Sequence, residues 1–150
     1  DIVCELEDGK NVAMLTIGDP SVYSTYMYIH KRVMQVGFTA VMISGVPSFC
    51  AAAARLGISL GEMMDEIHII PASYDVGDTV GYGGTCVYMK SGKKLAELIE
   101  VLRTGDAIRK KKMTVYGVTN CGMESERVYR GLDELTEAKG YLTIVIVKYS

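Results

Sequence analysis

The feature that most constrains the fold of this chain is an abrupt change of pattern at Gly18. Asn11 to Ile17 is a nearly unbroken apolar run, cut off by Gly18-Asp19-Pro20-Ser21 and followed by a stretch with helical periodicity. A run of that length without polar alternation predicts a strand covered on both faces. Val22, Ile29, Val33 and Val36 then recur at helical spacing, which leaves His30, Lys31, Arg32 and Gln35 to face water. Gly37 ends that helix. The pattern repeats, with Thr39 to Ile43 as a second buried strand and Pro47 to Leu56 as a short alanine-rich helix stopped by Gly57. Strand, helix, strand, helix with short connections implies parallel strands joined by right-handed crossovers.

The texture changes after Pro71. Residues 72–84 are rich in glycine, aspartate and tyrosine and read as a loop or a domain boundary. A strand is predicted over 85–89, then a helix capped by Ser91 with Leu95, Leu98, Ile99 and Leu102 on its core face. A basic link, Arg109 to Lys112, leads to a strand over 113–118. Shorter strand character follows at 126–130, and β-branched residues mark a strand over 141–147. The predicted class is α/β, in two small domains. Residues 1–70 form an N-terminal parallel-sheet unit, and residues 71–150 form a C-terminal unit with a mixed sheet. At the start of the chain, Ile2, Val3 and Leu6 share a helical face that Gly9 terminates, and this reads as the tail of a larger, truncated N-terminal element.

Composition narrows the function. With 49% apolar residues the chain can build a core, and a formal charge of −2 argues against a broad electrostatic footprint for nucleic acid. No apolar run approaches the roughly 18 residues that read as a transmembrane helix. Cys4, Cys50, Cys86 and Cys121 are scattered, matching neither a zinc pattern nor a disulfide framework, and the small apolar neighbours of Cys50 predict buried, reduced thiols. A cytoplasmic protein without a bound metal fits best.

The strongest candidate for chemistry is Gly18 to Thr25, directly after a predicted strand. Asp19 is a good helix N-cap and Pro20 the favoured first helical residue, so capping alone explains part of it. Its position adds more, because open α/β sheets bind ligands beyond the carboxyl ends of their strands. Glycine there allows close backbone approach, and a carboxylate beside free amides offers both acceptors and donors. The second loop, Ser44 to Phe49, follows the next strand and would lie on the same sheet edge, making a small-molecule cleft. No phosphate loop or dinucleotide fingerprint is present, and no serine sits in a nucleophile elbow. His30 and His68 read as a surface and a strand residue. The residues by themselves stop at a two-loop ligand cleft.

The stretch from Gly9 to Thr25 closely resembles the tetrapyrrole methylase family, and its Tyr23-Ser24-Thr25 ending is similar to the branch that methylates carbon 20 of precorrin-2. Ser44 to Ala51, Arg55 to Leu60, Val87 to Lys90, Thr119 to Gly122 and Glu126 to Val128 continue the resemblance in the family's order. It implies two α/β domains with S-adenosylmethionine bound in the cleft between them. It also implies a carboxylate-rich tetrapyrrole acceptor, precorrin-2 or cobalt-precorrin-2, and a homodimer. Carried over by motif, Ile17, Gly18, Asp19, Val22, Pro47 and Ser48 would line the cofactor site from the first domain. Met89 and Cys121, with Ala72 nearby, would do so from the second. The family opens with a glycine- and proline-rich loop that nothing before Asp1 supplies, so the activity is expected of a longer parent protein.

The resemblance names no catalytic base. Lys90 and Arg127 are candidates for the substrate carboxylates, although solvated surface charge explains each of them as well. Two alternatives stay open. One is the same fold and cofactor with another acceptor, either a different ring carbon or a protein side chain as in diphthine synthases. The other is a ligand-binding domain without turnover.

Overall fold

The computed structural model describes residues 1–108 and 112–149. Of the basic link, Arg109, Lys110 and Lys111 lie outside the described residues. The chain divides into two units, residues 1–48 and 49–150.

In the first unit, α1 (Ile2–Glu7) is capped by Asp1, whose side chain accepts from the Val3 amide at 3.2 Å. Gly9 closes it at φ +77°, its amide donating to the Leu6 carbonyl. α2 (Tyr26–Gln35) begins later than its sequence suggests. Asp19 does not cap it, because both carboxylate oxygens are engaged elsewhere, and the Ser24 hydroxyl instead accepts from the Tyr26 amide at 3.1 Å. Gly37, at φ +94°, ends α2 as expected.

The two predicted strands of this unit do not form. Residues 11–17 and 39–43 have no regular structure, and Leu15, Ile17, Val41 and Ile43 are 92%, 80%, 76% and 83% exposed. An apolar run supplies the side chains of a buried strand, but a strand also needs a hydrogen-bonded neighbour. Among the described residues neither run takes part in a ladder.

The second unit carries the regular sheet. α3 (Ser48–Leu56) crosses into it and buries Phe49, Ala52, Ala53 and Leu56, the i, i+3, i+4, i+7 stripe of an amphipathic helix. Cys50 lies off that stripe and is exposed, against the expectation of a buried thiol; of the four cysteines only Cys86 is fully enclosed. Five strands follow: β1 (Ile67–Pro71), β2 (Thr85–Met89), β3 (Met113–Thr119), β4 (Arg127–Arg130) and β5 (Thr143–Tyr149), in spatial order β1-β2-β5-β3-β4. β1 and β2 are parallel and every other pair is antiparallel, which makes the mixed sheet predicted for the C-terminal half.

Because Ile67 to Pro71 pair residue for residue with Thr85 to Met89, β1 belongs to the second unit. β1 thus lies with the residues that follow Ser48.

β2 is buried at all five positions, as a central strand covered on both faces must be. α4 (Leu95–Ile108) lies on one face of the sheet and buries Leu95, Leu98, Ile99 and Leu102, the four residues singled out by periodicity. They pack with Cys86 and Tyr88 of β2, Val145 and Val147 of β5, and Leu135 of the short helix α5 (Leu132–Leu135). Ser91 does not cap α4. A 3-10 turn over Gly92–Lys94 intervenes, and the buried Ser91 hydroxyl reaches the Thr143 carbonyl at 3.5 Å.

Candidate functional site

The two loops proposed as neighbours are tied together by one side chain. Asp19 Oδ1 accepts from the Ser21 amide at 2.8 Å and from the Ser21 hydroxyl, while Oδ2 accepts from the Gly45 amide at 2.9 Å. The Asp19 carbonyl also accepts from the Val22 amide at 3.2 Å. An aspartate bonding two residues ahead is the Asx turn that short acidic side chains favour. Its second oxygen converts that local turn into a cross-loop clamp.

Glycine is required at both ends of the clamp. Gly18 sits at φ +87°, and a Cβ on Gly45 would lie 2.2 Å from the Gly18 carbonyl oxygen. Ser48 is also drawn in, with its amide 3.9 Å from where a Gly18 Cβ would be. Thus Gly18 and Asp19 abut Gly45, the Ser48 amide lies near Gly18, and Val22 is tied to the Asp19 carbonyl. Pro47 is half-buried beside them, and Ile17 projects into solvent. The sequence marks Gly45 only as part of a loop, and nothing in its neighbours shows that another segment's carbonyl abuts it.

Asp19 spends its oxygens on protein amides and a hydroxyl, so it shapes the site instead of offering itself whole to a ligand. The Ser21 hydroxyl first, then the Ser21 and Gly45 amides, hold its pKa below the ordinary 3.8. A lowered folded-state pKa contributes stability that is fully present above 3.8 and is lost as pH falls through the folded value. Asp19→Asn will therefore melt below the wild type at neutral pH, and the gap will close as acid protonates Asp19. Thermal melts of both proteins from neutral to strongly acidic pH test this; a gap that persists unchanged in acid rules it out.

Residues 17–22 and 43–48 contain Asp19 as their one charged side chain and no cation. They also expose Ile17, Ile43 and Val46. That combination suits a ligand with a positive centre and a flat apolar ring.

In the second unit the remaining predicted residues gather at one edge of the sheet. β2 and β3 both run antiparallel to β5, so their carboxyl ends point the same way. Met89 ends β2, and its carbonyl accepts from the amide of the buried Ala72 at 2.7 Å. Cys121 follows β3 by two residues, and β5 lies between the strands that lead to the two sulfurs. The residues just past Met89 and Thr119, namely Lys90 and Asn120, have φ of +57° and +51°, so the chain turns sharply at both places. Non-glycine residues in that region are held there by their surroundings and cluster at functional sites. Lys90 and Arg127 share this edge, half-buried and exposed respectively.

Sequence reasoning missed two residues here. Glu126 accepts from the Gly122 amide at 2.8 Å and pairs with Arg55 of α3. Those contacts, the Gly122 amide before Arg55, hold the Glu126 carboxyl below its ordinary range. Burial, and then the Glu126 charge, push the Cys121 thiol up. The spacing from Gly122 to Glu126 gives a hint of the first contact, but Arg55 lies 71 residues away.

The model of the Tetrapyrrole (Corrin/Porphyrin) Methylases matches residues 2–136. A probable cobalt-precorrin-2 C(20)-methyltransferase of Methanocaldococcus jannaschii is 34% identical over 145 residues, which cover 95% of this chain and 60% of that protein. The chain thus spans less than two thirds of that relative's length. Among solved structures, a cobalt precorrin-4 methyltransferase superposes with a TM-score of 0.82 at 17% identity, covering 98% of this chain and 67% of the other. A uroporphyrin-III C-methyl transferase from Thermus thermophilus, complexed with S-adenyl homocysteine, gives 0.66 at 16% identity, covering 87% and 62%. At those identities the likeness establishes the fold, which is the one expected from the resemblance.

Proposed function

The chain belongs to the tetrapyrrole methylase family, and from that premise we propose that its protein transfers a methyl group from S-adenosylmethionine to carbon 20 of precorrin-2 or its cobalt form. The observation that carries the cofactor half is the Asp19–Gly45 clamp, which builds a cation-free, glycine-lined loop pair with exposed apolar side chains. A neighbour of the same fold is complexed with S-adenyl homocysteine. The acceptor half rests on the M. jannaschii relative, whose name specifies carbon 20.

When bound, S-adenosylmethionine would supply the activated methyl on its sulfonium. The protein's part is alignment and electrostatics. Gly18 and Gly45 let the ligand approach the backbone, and Asp19 fixes the two loops and leaves one negative charge near a cationic centre. Ile17, Val22, Pro47 and Ser48 would complete this part of the cofactor site, and the family resemblance adds Met89 and Cys121, with Ala72 nearby. Lys90 and Arg127 on that edge would take carboxylates of the tetrapyrrole.

The same reading places the protein in the cytoplasm, where its four free thiols stay reduced, and makes it a homodimer. Among the described residues no helix is long and apolar enough to cross a membrane.

Calorimetric titration of the chain with S-adenosylhomocysteine tests the cofactor assignment. Saturable binding upholds it, and a folded chain that gives no heat overturns it. Product analysis after incubation with S-adenosylmethionine and precorrin-2 then separates carbon 20 from any other acceptor.

A further inference from the structure

Glu126, Arg55 and the turn after β3 form an arrangement that the methyl-transfer reading does not use. The turn runs from Asn120 to Glu126 and carries Cys121. It contains two residues at positive φ, Asn120 at +51° and Gly122 at +80°. It is tied at several points: the Asn120 amide donates to the Leu142 carbonyl at 3.0 Å, the Asn120 side chain to Ser125 Oγ at 3.0 Å, and the Gly122 amide to Glu126 Oε2 at 2.8 Å. The other Glu126 oxygen accepts from Arg55 Nε. The Glu126 side chain is 16% exposed, whereas that of Arg55 is 55% exposed. A carboxylate so enclosed is fixed by its partners, and a guanidinium that also reaches solvent can hold it in one rotamer.

We infer that Glu126 is a positioning residue. Held by Arg55 from α3, it locks the Asn120–Gly122 turn and presents Cys121 at the carboxyl edge of the sheet, where the cofactor is bound. This rests on the assignment of Cys121 to the cofactor site. Removing the carboxylate leaves the Gly122 amide without its acceptor and the turn without its link to α3. The Cys121 thiol also loses a negative neighbour that, after burial, disfavours its thiolate. The charged groups acting on Cys121 are Glu126, from its own turn, and Arg55, from α3; the guanidinium acts in the opposite sense and more weakly.

The test uses the full chain carrying Glu126→Ala and, separately, Glu126→Gln, which keeps the shape and removes the charge. Two quantities are read. The first is the rate of iodoacetamide alkylation of each cysteine at mildly alkaline pH, resolved by peptide mass spectrometry, with exposed Cys4 and Cys50 as internal controls. The second is the affinity for S-adenosylhomocysteine by calorimetry.

In Glu126→Ala, Cys121 will be alkylated several-fold faster while Cys4 and Cys50 are unchanged, and affinity will fall about tenfold, the scale of one charge-assisted hydrogen bond. Glu126→Gln will give the same direction with smaller changes, because its amide oxygen still accepts from Gly122. Arg55→Gln removes the cation that favours the Cys121 thiolate, so Cys121 alkylation will not rise in it, while affinity will fall as in Glu126→Ala because Glu126 loses its tie to α3. In Glu126→Ala, faster alkylation with unchanged affinity overturns the positioning role, and unchanged alkylation overturns the clamp. If the unsubstituted chain binds no S-adenosylhomocysteine, the cofactor assignment fails by itself. Cys121 alkylation in the Glu126 variants then decides the clamp alone.

Discussion

Replacing Gly45 with alanine will reduce S-adenosylhomocysteine affinity by on the order of a hundredfold or more, about 2.8 kcal/mol. The added Cβ would sit 2.2 Å from the Gly18 carbonyl oxygen and 3.2 Å from its carbon, inside contact distance of backbone that cannot rotate away. Relief requires the loops to separate, and separation breaks the bond from the Gly45 amide to Asp19 Oδ2. The two loops would then lose the only side-chain clamp described between them, together with the geometry proposed to hold the cofactor. Gly83→Ala is the matched control, since its Cβ meets nothing within 4 Å and its φ is ordinary. Calorimetry on both variants checks the expectation. If Gly45→Ala binds as tightly as Gly83→Ala, the clamp does not shape the ligand site.

The second large effect falls on stability. Gly84 stands at φ +64° at the entry to β2, and a Cβ there would lie 2.3 Å from the Glu66 carbonyl oxygen and 3.1 Å from the Glu66 nitrogen. The surrounding backbone has no slack. The same Glu66 oxygen accepts from the Thr85 amide at 2.8 Å, and the Gly84 carbonyl accepts from the Tyr149 amide at 2.9 Å. Gly84 thus fixes the start of β2 against both β1 and the end of β5. Left-handed strain in a non-glycine residue, added to a backbone clash, gives Gly84→Ala an expected loss of about 3 kcal/mol. For a unit of this size, that corresponds to a fall in melting temperature of more than roughly 10 °C. Thermal melts followed by circular dichroism read it directly, and a melting point within experimental error of the wild type would show that the sheet edge adapts.

Periodicity located much of the second unit, though not β1. The spacing of Leu95, Leu98, Ile99 and Leu102 located a core-facing helix, and the β-branched runs located β2, β3 and β5 to within a few residues. Those signals are local because burial on one helix face or in a central strand writes its period into consecutive residues. The same reasoning placed two strands in the first unit that do not form. Residues 11–17 and 39–43 have the composition of strands, but pairing depends on what lies alongside, and composition cannot supply a neighbour.

The candidate site divides the same way. By itself the sequence determined that a Gly-Asp-Pro loop and a Ser-Gly-Val-Pro loop interrupt apolar runs, and that their residues resemble those of a methylase family; matching residues 2–136 to that family's model agrees. Only the tertiary structure decided what those residues touch. Asp19 turned from a helix cap into a bridge to Gly45, 26 positions away, and Glu126 found Arg55 across 71. β1 joined the second unit through its register with β2. Capping, turns and helix faces are contacts within a few residues, so they are legible in order along the chain. Clamps and strand partners join residues that the chain order keeps apart, and they exist only once folding has brought them within hydrogen-bond reach.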